Sequence, residues 1–141
     1  LNIALSAIVF RRCATTNMRI FKNKAFDKWA SKEGLSDDAL REATEQIEHG
    51  LIGVALGGNV FKKRVGLTGR GKRGGARTLL VYRGKRRAFF VYGFSKNVKS
   101  NIKREELKAL KVYAILLLGY NEEELDKAVR DNILVEINSD G

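Results

Sequence analysis

The stretch GKRGGARTLLVYRGKRRAFFVYGFSKN, residues 71–97, decides how this chain is read. Its two runs, ARTLLVYR (76–83) and RAFFVYGFSK (87–96), are rich in β-branched and aromatic residues, the types that fit a pleated surface. The short basic link GKR between them predicts a hairpin. A third run, VFKKRV (60–65), precedes them across GLTGRGKRGG, and the three read as an antiparallel meander. The quoted stretch contains no Asp or Glu, so its cations find no neutralising partner within it.

Outward from the meander the rhythm turns helical. On the N-terminal side, MRIFKN alternates as a short first strand. KAFDKWASKEG then places Phe26, Trp29 and Ala30 at helical spacing and stops at Gly34. In SDDALREATEQIEHG, Ser36 is the expected N-cap, Leu40, Ala43 and Ile47 keep the helical rhythm, and Gly50 suits the C′ position. On the C-terminal side, NIKREELKALKVYAILLLG gives one broad apolar face from Ile102, Leu107, Leu110, Tyr113, Ala114 and Leu117. NEEELDKAVRDN predicts a short helix capped by Asn121, with Glu122, Glu123 and Glu124 at its positive end. ILVEI reads as a last strand. The chain has 141 residues, which suits one domain with a modest core, and it shows no internal repeat.

Residues 1–17 stand apart. LNIALSAIVF is apolar and RRCATTN follows it, whereas a secretory signal places its cations first. The expectation is an upstream extension over 1–17 and a single domain over 18–141 opened by Met18, against the alternative of a genuine extra strand or helix. N-terminal mass spectrometry of protein made from the native gene decides between them.

Charge is divided sharply along this map. The net charge is +11; from Gly50 to Arg104 there are 15 of the 27 Lys and Arg and no acid, and all 16 acids lie in the flanking segments. Such a surplus opposes compactness and favours a polyanionic partner: nucleic acid, an acidic protein or an anionic membrane. A single cysteine, Cys13, excludes an internal disulfide and fits a reducing, cytosolic setting. No apolar run approaches the ~20 residues that span a bilayer.

Conventional enzyme motifs are lacking. Gly66, Gly71 and Lys72 match a phosphate-loop spacing, but Arg73 stands where Ser or Thr must ligate magnesium. Gly69, Gly71 and Gly74 match G-x-G-x-x-G, yet a strand follows where a helix is required. The same glycines suit a basic hairpin loop, carrying Arg70, Lys72 and Arg73, that approaches a nucleic-acid backbone closely. His49, the sole histidine, sits in the last turn of a predicted helix, where a donor suits the carboxyl end. One cysteine and one histidine make a protein-built zinc site improbable. No metal and no cofactor are expected.

Strand alternation supplies the chemistry that remains. Lys62 and Arg64 share one face of the first meander strand. Arg77, Leu79, Val81 and Arg83 oppose Ala76, Thr78, Leu80 and Tyr82 in the second. Phe90, Tyr92, Phe94 and Lys96 oppose Phe89, Val91 and Gly93 in the third. Cations and a phenol can thus share one sheet surface with an apolar base, suited to a phosphate backbone with bases stacked on Tyr or Phe. Core filling competes for the aromatics, and Phe89 is expected in the core.

At this point the residues become familiar. MRIFKNKAFDKWASKEGLSDDAL, KRGGARTLLVYR and RAFFVYGFSKNVKSNIKREEL resemble the RelE/ParE superfamily of bacterial toxins, and within it the RelE-like/HigB-like branch, from Met18 to Leu118. The resemblance implies an α+β fold: an antiparallel sheet with two N-terminal helices packed on one face and a C-terminal helical segment. It implies a cytoplasmic mRNA interferase that cuts messenger RNA on the ribosome by metal-independent 2′-OH transesterification and is restrained by a cognate antitoxin.

By the same resemblance Arg77, after the Gly-Gly turn, matches the phosphate-stabilising arginine. Lys62, Lys63 and Arg64 occupy the basic strand that contributes lysines for phosphate and base work. Lys96, after GFS, matches a later basic position, and Tyr92 a stacking or proton-handling residue. Arg70, Lys72, Arg73 and Arg83 join Lys63 as RNA-binding cations. Two departures stand out. Ala76 replaces an aromatic common before the arginine, and the family's C-terminal catalytic tyrosine has no counterpart after Lys96, Tyr113 being a remote candidate. A ParE-like DNA gyrase inhibitor and a non-catalytic RNA- or ribosome-binding module are the alternatives; the strand cations favour the ribonuclease. The antitoxin is expected to be acidic where it meets the meander and to lay a helix or strand across it.

Overall fold

Asn23 ends one element and starts the next. It closes β1 (Arg19–Asn23), and its side-chain oxygen accepts from the Phe26 amide at 2.7 Å to cap α1 (Lys24–Glu33). The computed structural model describes residues 18–67, 71–84, 86–95 and 102–137, with the backbone alone at 67 and 71–74. Gly34 stops α1 at φ 76°, a left-handed conformation that glycine adopts without penalty. Ser36 Oγ accepts from the Ala39 amide at 3.2 Å to open α2 (Asp37–Glu48). Four strands follow: β2 (Val54–Gly57), β3 (Val60–Leu67), β4 (Gly71–Arg83) and β5 (Arg87–Ser95). Then come α3 (Arg104–Gly119), α4 (Glu122–Arg130) and β6 (Leu134–Ile137). Asn121 and Glu124 cap α4 reciprocally, each side chain accepting from the other's amide, at 2.7 and 2.8 Å.

These strands make one six-stranded sheet in the order β2-β3-β4-β5-β1-β6. The expected meander is its heart, and the fold is α+β as the resemblance implied. Three features correct the sequence reading. Pairing is antiparallel except between β1 and β5, which run parallel. β2 was not anticipated; its four residues, VALG, are too short and too plain to signal a strand. The long loop expected at 66–75 is largely ladder: β3 runs to Leu67, β4 begins at Gly71, and these two residues pair.

The sheet is covered on both sides. One face meets α1 and α2, burying Val65, Leu80 and Phe90 against Phe26, Ala30, Leu40 and Ile47. The other meets α3 and α4, burying Val60, Leu79 and Phe89 against Ala114, Leu117 and Leu125. The two N-terminal helices therefore share one face, and the C-terminal helical segment closes the other. A bulge in β5 sets which aromatics go where. Leu79 pairs Tyr92 but Leu80 pairs Phe90, leaving Val91 as the extra residue. Phe90 therefore points to the α1–α2 side while Phe89, Val91, Tyr92 and Phe94 gather on the other. The strict alternation expected for this strand, with Phe90, Tyr92 and Phe94 together, is broken by that one residue.

Gly93 marks the end of the bulge. A Cβ there would run into the six-membered ring of Trp29. Gly93→Ala should displace the indole and destabilise the fold by about 1–3 kcal/mol, read as a lower denaturation midpoint with unchanged m-value.

A charged clasp ties the chain's first and last described strands. Arg19 holds Glu136 through Nε and Nη2 at 2.8 and 2.7 Å, Glu122 at 2.7 Å and Asp126 at 3.0 Å, and lies 5.0 Å from the centre of the Phe21 ring. Arg87 donates to Glu122 at 2.6 Å. Hydrogen bonds from Arg87 and then Arg19 hold the Glu122 carboxyl below its ordinary value of 4.5. The contribution of Glu122 is therefore complete above about pH 4.5 and is lost as pH falls through its lower folded value. Glu122→Gln should flatten the fall of the melting temperature as pH drops below about 4.5. An acid limb as steep as that of the parent chain would show that the clasp carries no linkage.

Candidate nucleic-acid interface

Two cross-strand rows build the site on the α3 side of the meander. In the first, Arg64 on β3 lies opposite Arg77 on β4, and Arg77 lies opposite Phe94 on β5. In the second, Lys62 lies opposite Leu79, and Leu79 opposite Tyr92. The period of two along each strand puts all of these side chains on one face. Lys62, Arg64 and Arg77 thus form a cationic cluster on two adjacent strands, about 7 Å along β3 and about 5 Å across to β4. Two like charges directly opposite one another destabilise a sheet, yet Arg64 and Arg77 occupy such a pair. Among the described residues no carboxylate forms a salt bridge with either. Arg64 is exposed and Arg77 half-buried.

Beneath the cations lies an apolar base. Phe94 is only 3 % exposed, so it fills the core and offers no face for a base to stack on. Tyr92 packs against it with ring centroids 5.9 Å apart and is itself half-buried. The Tyr92 hydroxyl reaches Glu106 Oε2 at 3.5 Å, a long contact, while Glu106 Oε1 accepts from the Lys103 amide at 3.0 Å to cap α3. Sequence reasoning missed Glu106. Its place three residues into a helix is a legible capping signal, but its approach to Tyr92 depends on where α3 lands.

The other expected residues divide. Lys63 belongs to the opposite face: it is 7 % exposed and donates to the Leu51 carbonyl at 2.9 Å. Strand alternation turns it away from Lys62 and Arg64, so it is a buried structural cation on the other side of the sheet from that cluster. Arg83 is on the right face but stands six residues, about 20 Å, along β4 from Arg77, with α3 beside it. Lys72 and Arg73 fall within β4 by backbone alone. Arg70 and Lys96 lie outside the described residues. Ala76, where an aromatic was expected, is 1 % exposed in the core on the α1–α2 side, so that position fills the fold. Tyr113 points elsewhere: burial raises its pKa and its hydroxyl meets the Asn23 side chain.

His49 is exposed, and its ring Nδ1 donates to the Glu45 carbonyl at 2.8 Å at the end of α2, the helix-terminal role its position suggested. Among the described residues no group of three or more His, Cys, Asp or Glu could hold a metal ion, and no helix is long and apolar enough to cross a membrane. The site therefore offers positive charge aimed at one surface, a phenol and one nearby carboxylate.

No curated protein sequence matches the chain. A family model described as the RelE toxin of the RelE / RelB toxin-antitoxin system matches residues 18–137, a span that takes in every described strand and helix. With that match over most of its length, and with the α+β sheet and paired helices it implies, the chain belongs to the RelE toxin family.

Proposed function

We propose that the protein is the toxin of its pair by cutting messenger RNA on the ribosome, in the cytoplasm. The observation that carries this reading is the Arg64–Arg77 pair across β3 and β4, with Lys62 on the same face and no carboxylate salt-bridged to either arginine among the described residues. An uncompensated pair of this kind costs stability and suits a surface built for phosphates.

The chemistry follows from what those groups supply. The 2′-oxygen attacks the adjacent phosphorus, its proton leaves to a base, and the bond to the 5′-oxygen breaks as that oxygen takes a proton. Negative charge grows on the phosphorane oxygens between these events. Arg77, with a planar fork of donors, stabilises that charge. Lys62 and Arg64 hold the flanking backbone, and Tyr92 positions a base or passes a proton. The ribosome presents the strand in attacking geometry, which reduces what the protein's own groups must do.

Primer extension on a translated messenger, with and without ribosomes, tests the reading. Cuts within codons that require ribosomes are the expected result. Inhibited supercoiling without cleavage would replace the reading by gyrase inhibition, and binding without either by a passive RNA-binding role. Lys62→Ala and Arg64→Ala should each weaken RNA or ribosome association and reduce the slope of log affinity against log salt by about one. Slopes identical to those of the parent chain would show that neither side chain touches a phosphate.

A further inference from the structure

The C-terminal half of α3 is apolar on both sides. Its inner side buries Ala114 and Leu117. Its outer side carries Val112, Ile115 and Leu116, which are 68 %, 74 % and 54 % exposed. Spacings of three and four gather these three into one patch over a single turn. A helix apolar all round is normally enclosed, and contiguous exposed aliphatics mark an interaction surface. Beside the patch lies a groove of about 350 Å³ between α3, the Gly58–Asn59 turn and the end of β4. Val112, Ile115 and Leu118 supply its apolar lining, and Arg83 and Lys111 its cations.

Charge selects the occupant. A second copy would bring together two chains of +11 and set the same basic rim against itself. An acidic amphipathic helix answers both features at once: apolar residues at i, i+3 and i+7 cover the patch, and its carboxylates reach Arg83 and Lys111. The family pairs each toxin with a protein antitoxin. We propose that the outer face of α3 docks an acidic amphipathic helix of the antitoxin. The anchor lies at the Arg83 end of β4, about 20 Å from Arg77. It therefore grips the toxin without itself filling the cationic cluster. The inference rests on family membership and not on the nuclease reading, since growth arrest by any route serves as its readout.

The test uses the protein encoded by the gene cotranscribed with this chain's own as the purified probe. A Val112→Ser, Ile115→Ser double variant should arrest growth as the parent does when the antitoxin is withheld. It should bind the probe at least roughly tenfold more weakly and resist neutralisation in cells. Lys111→Glu, at a half-buried residue whose stem lies over the Gly57–Gly58 turn, should weaken binding likewise and make it less sensitive to salt, with the melting temperature of the free chain measured alongside to confirm the fold. Parent-like affinity in both variants would overturn the proposal. A parent chain that is dimeric by light scattering, and monomeric in the double variant, would assign the face to a second copy. Loss in the double variant of binding to phosphatidylglycerol vesicles, with probe affinity unchanged, would assign it to a lipid surface.

Discussion

Arg77→Ala should abolish growth arrest on induction and leave the fold intact. Removing one preorganised donor from a developing oxyanion typically costs about 10²–10³ in rate. On the proposed reading Arg77 also binds the ground-state phosphate, so cleavage should fall at least that far. Stability should hold or rise slightly, because the residue faces Arg64 across the ladder and has no carboxylate salt bridge among the described residues. Arg77→Lys keeps the charge but loses the planar fork, and should fall between the two. Colony counts at matched expression, with melting temperatures of the purified chains, check both halves. Continued arrest in Arg77→Ala would remove Arg77 from the chemistry. A large drop in melting temperature would make it a structural residue.

The second large effect lies at two neighbours with separate surroundings. Phe89 and Phe90 are both fully buried, yet they belong to opposite sides of the sheet. Phe89 stacks on Phe21 with centroids 5.0 Å apart, whereas Phe90 packs on Phe26 at 5.6 Å. Phe89→Ala and Phe90→Ala should each destabilise by about 3–5 kcal/mol. Because they share no partner ring, the losses should add to within about 0.5 kcal/mol. The double variant then approaches the whole stability of a small domain, about 5–15 kcal/mol, and should be largely unfolded at 37 °C. Urea titrations give the numbers. A coupling above about 1 kcal/mol would show that the two cores communicate through the β5 backbone.

Much of this architecture was legible because it is local. Ser36, Gly34, Gly50 and Asn121 announced the helix ends, and alternation put Lys62, Arg64 and Arg77 on one face. What stayed hidden depends on contacts distant in sequence. Nothing in MRIFKN states that β1 inserts beside β5 in parallel, since that pairing needs α1 through β4 to fold between them. Which face α3 would cover was equally invisible, although the apolar run YAILLLG hinted at neighbours on more than one side. The bulge at Val91 had one local clue, a glycine at 93 inside an aromatic strand, which signals a close approach. Glu106 was missed because its approach to Tyr92 depends on where α3 lands, and Lys63 was misplaced because it was read only as a charge.

The position of β1 has a consequence for how the molecule is made. Phe21 has no exposed surface, and β1 is completed only when β6 pairs along its other edge, Ile20 with Ile137 and Asn23 with Leu134. Synthesis supplies residues 19–23 early and 134–137 more than a hundred residues later. Until then β1 keeps an unpaired rim, and Arg19 waits for all three of its carboxylates, Glu122, Asp126 and Glu136. A nascent or prematurely terminated polypeptide thus cannot zip its sheet shut, and the ribosome that builds the protein is holding an unfinished one.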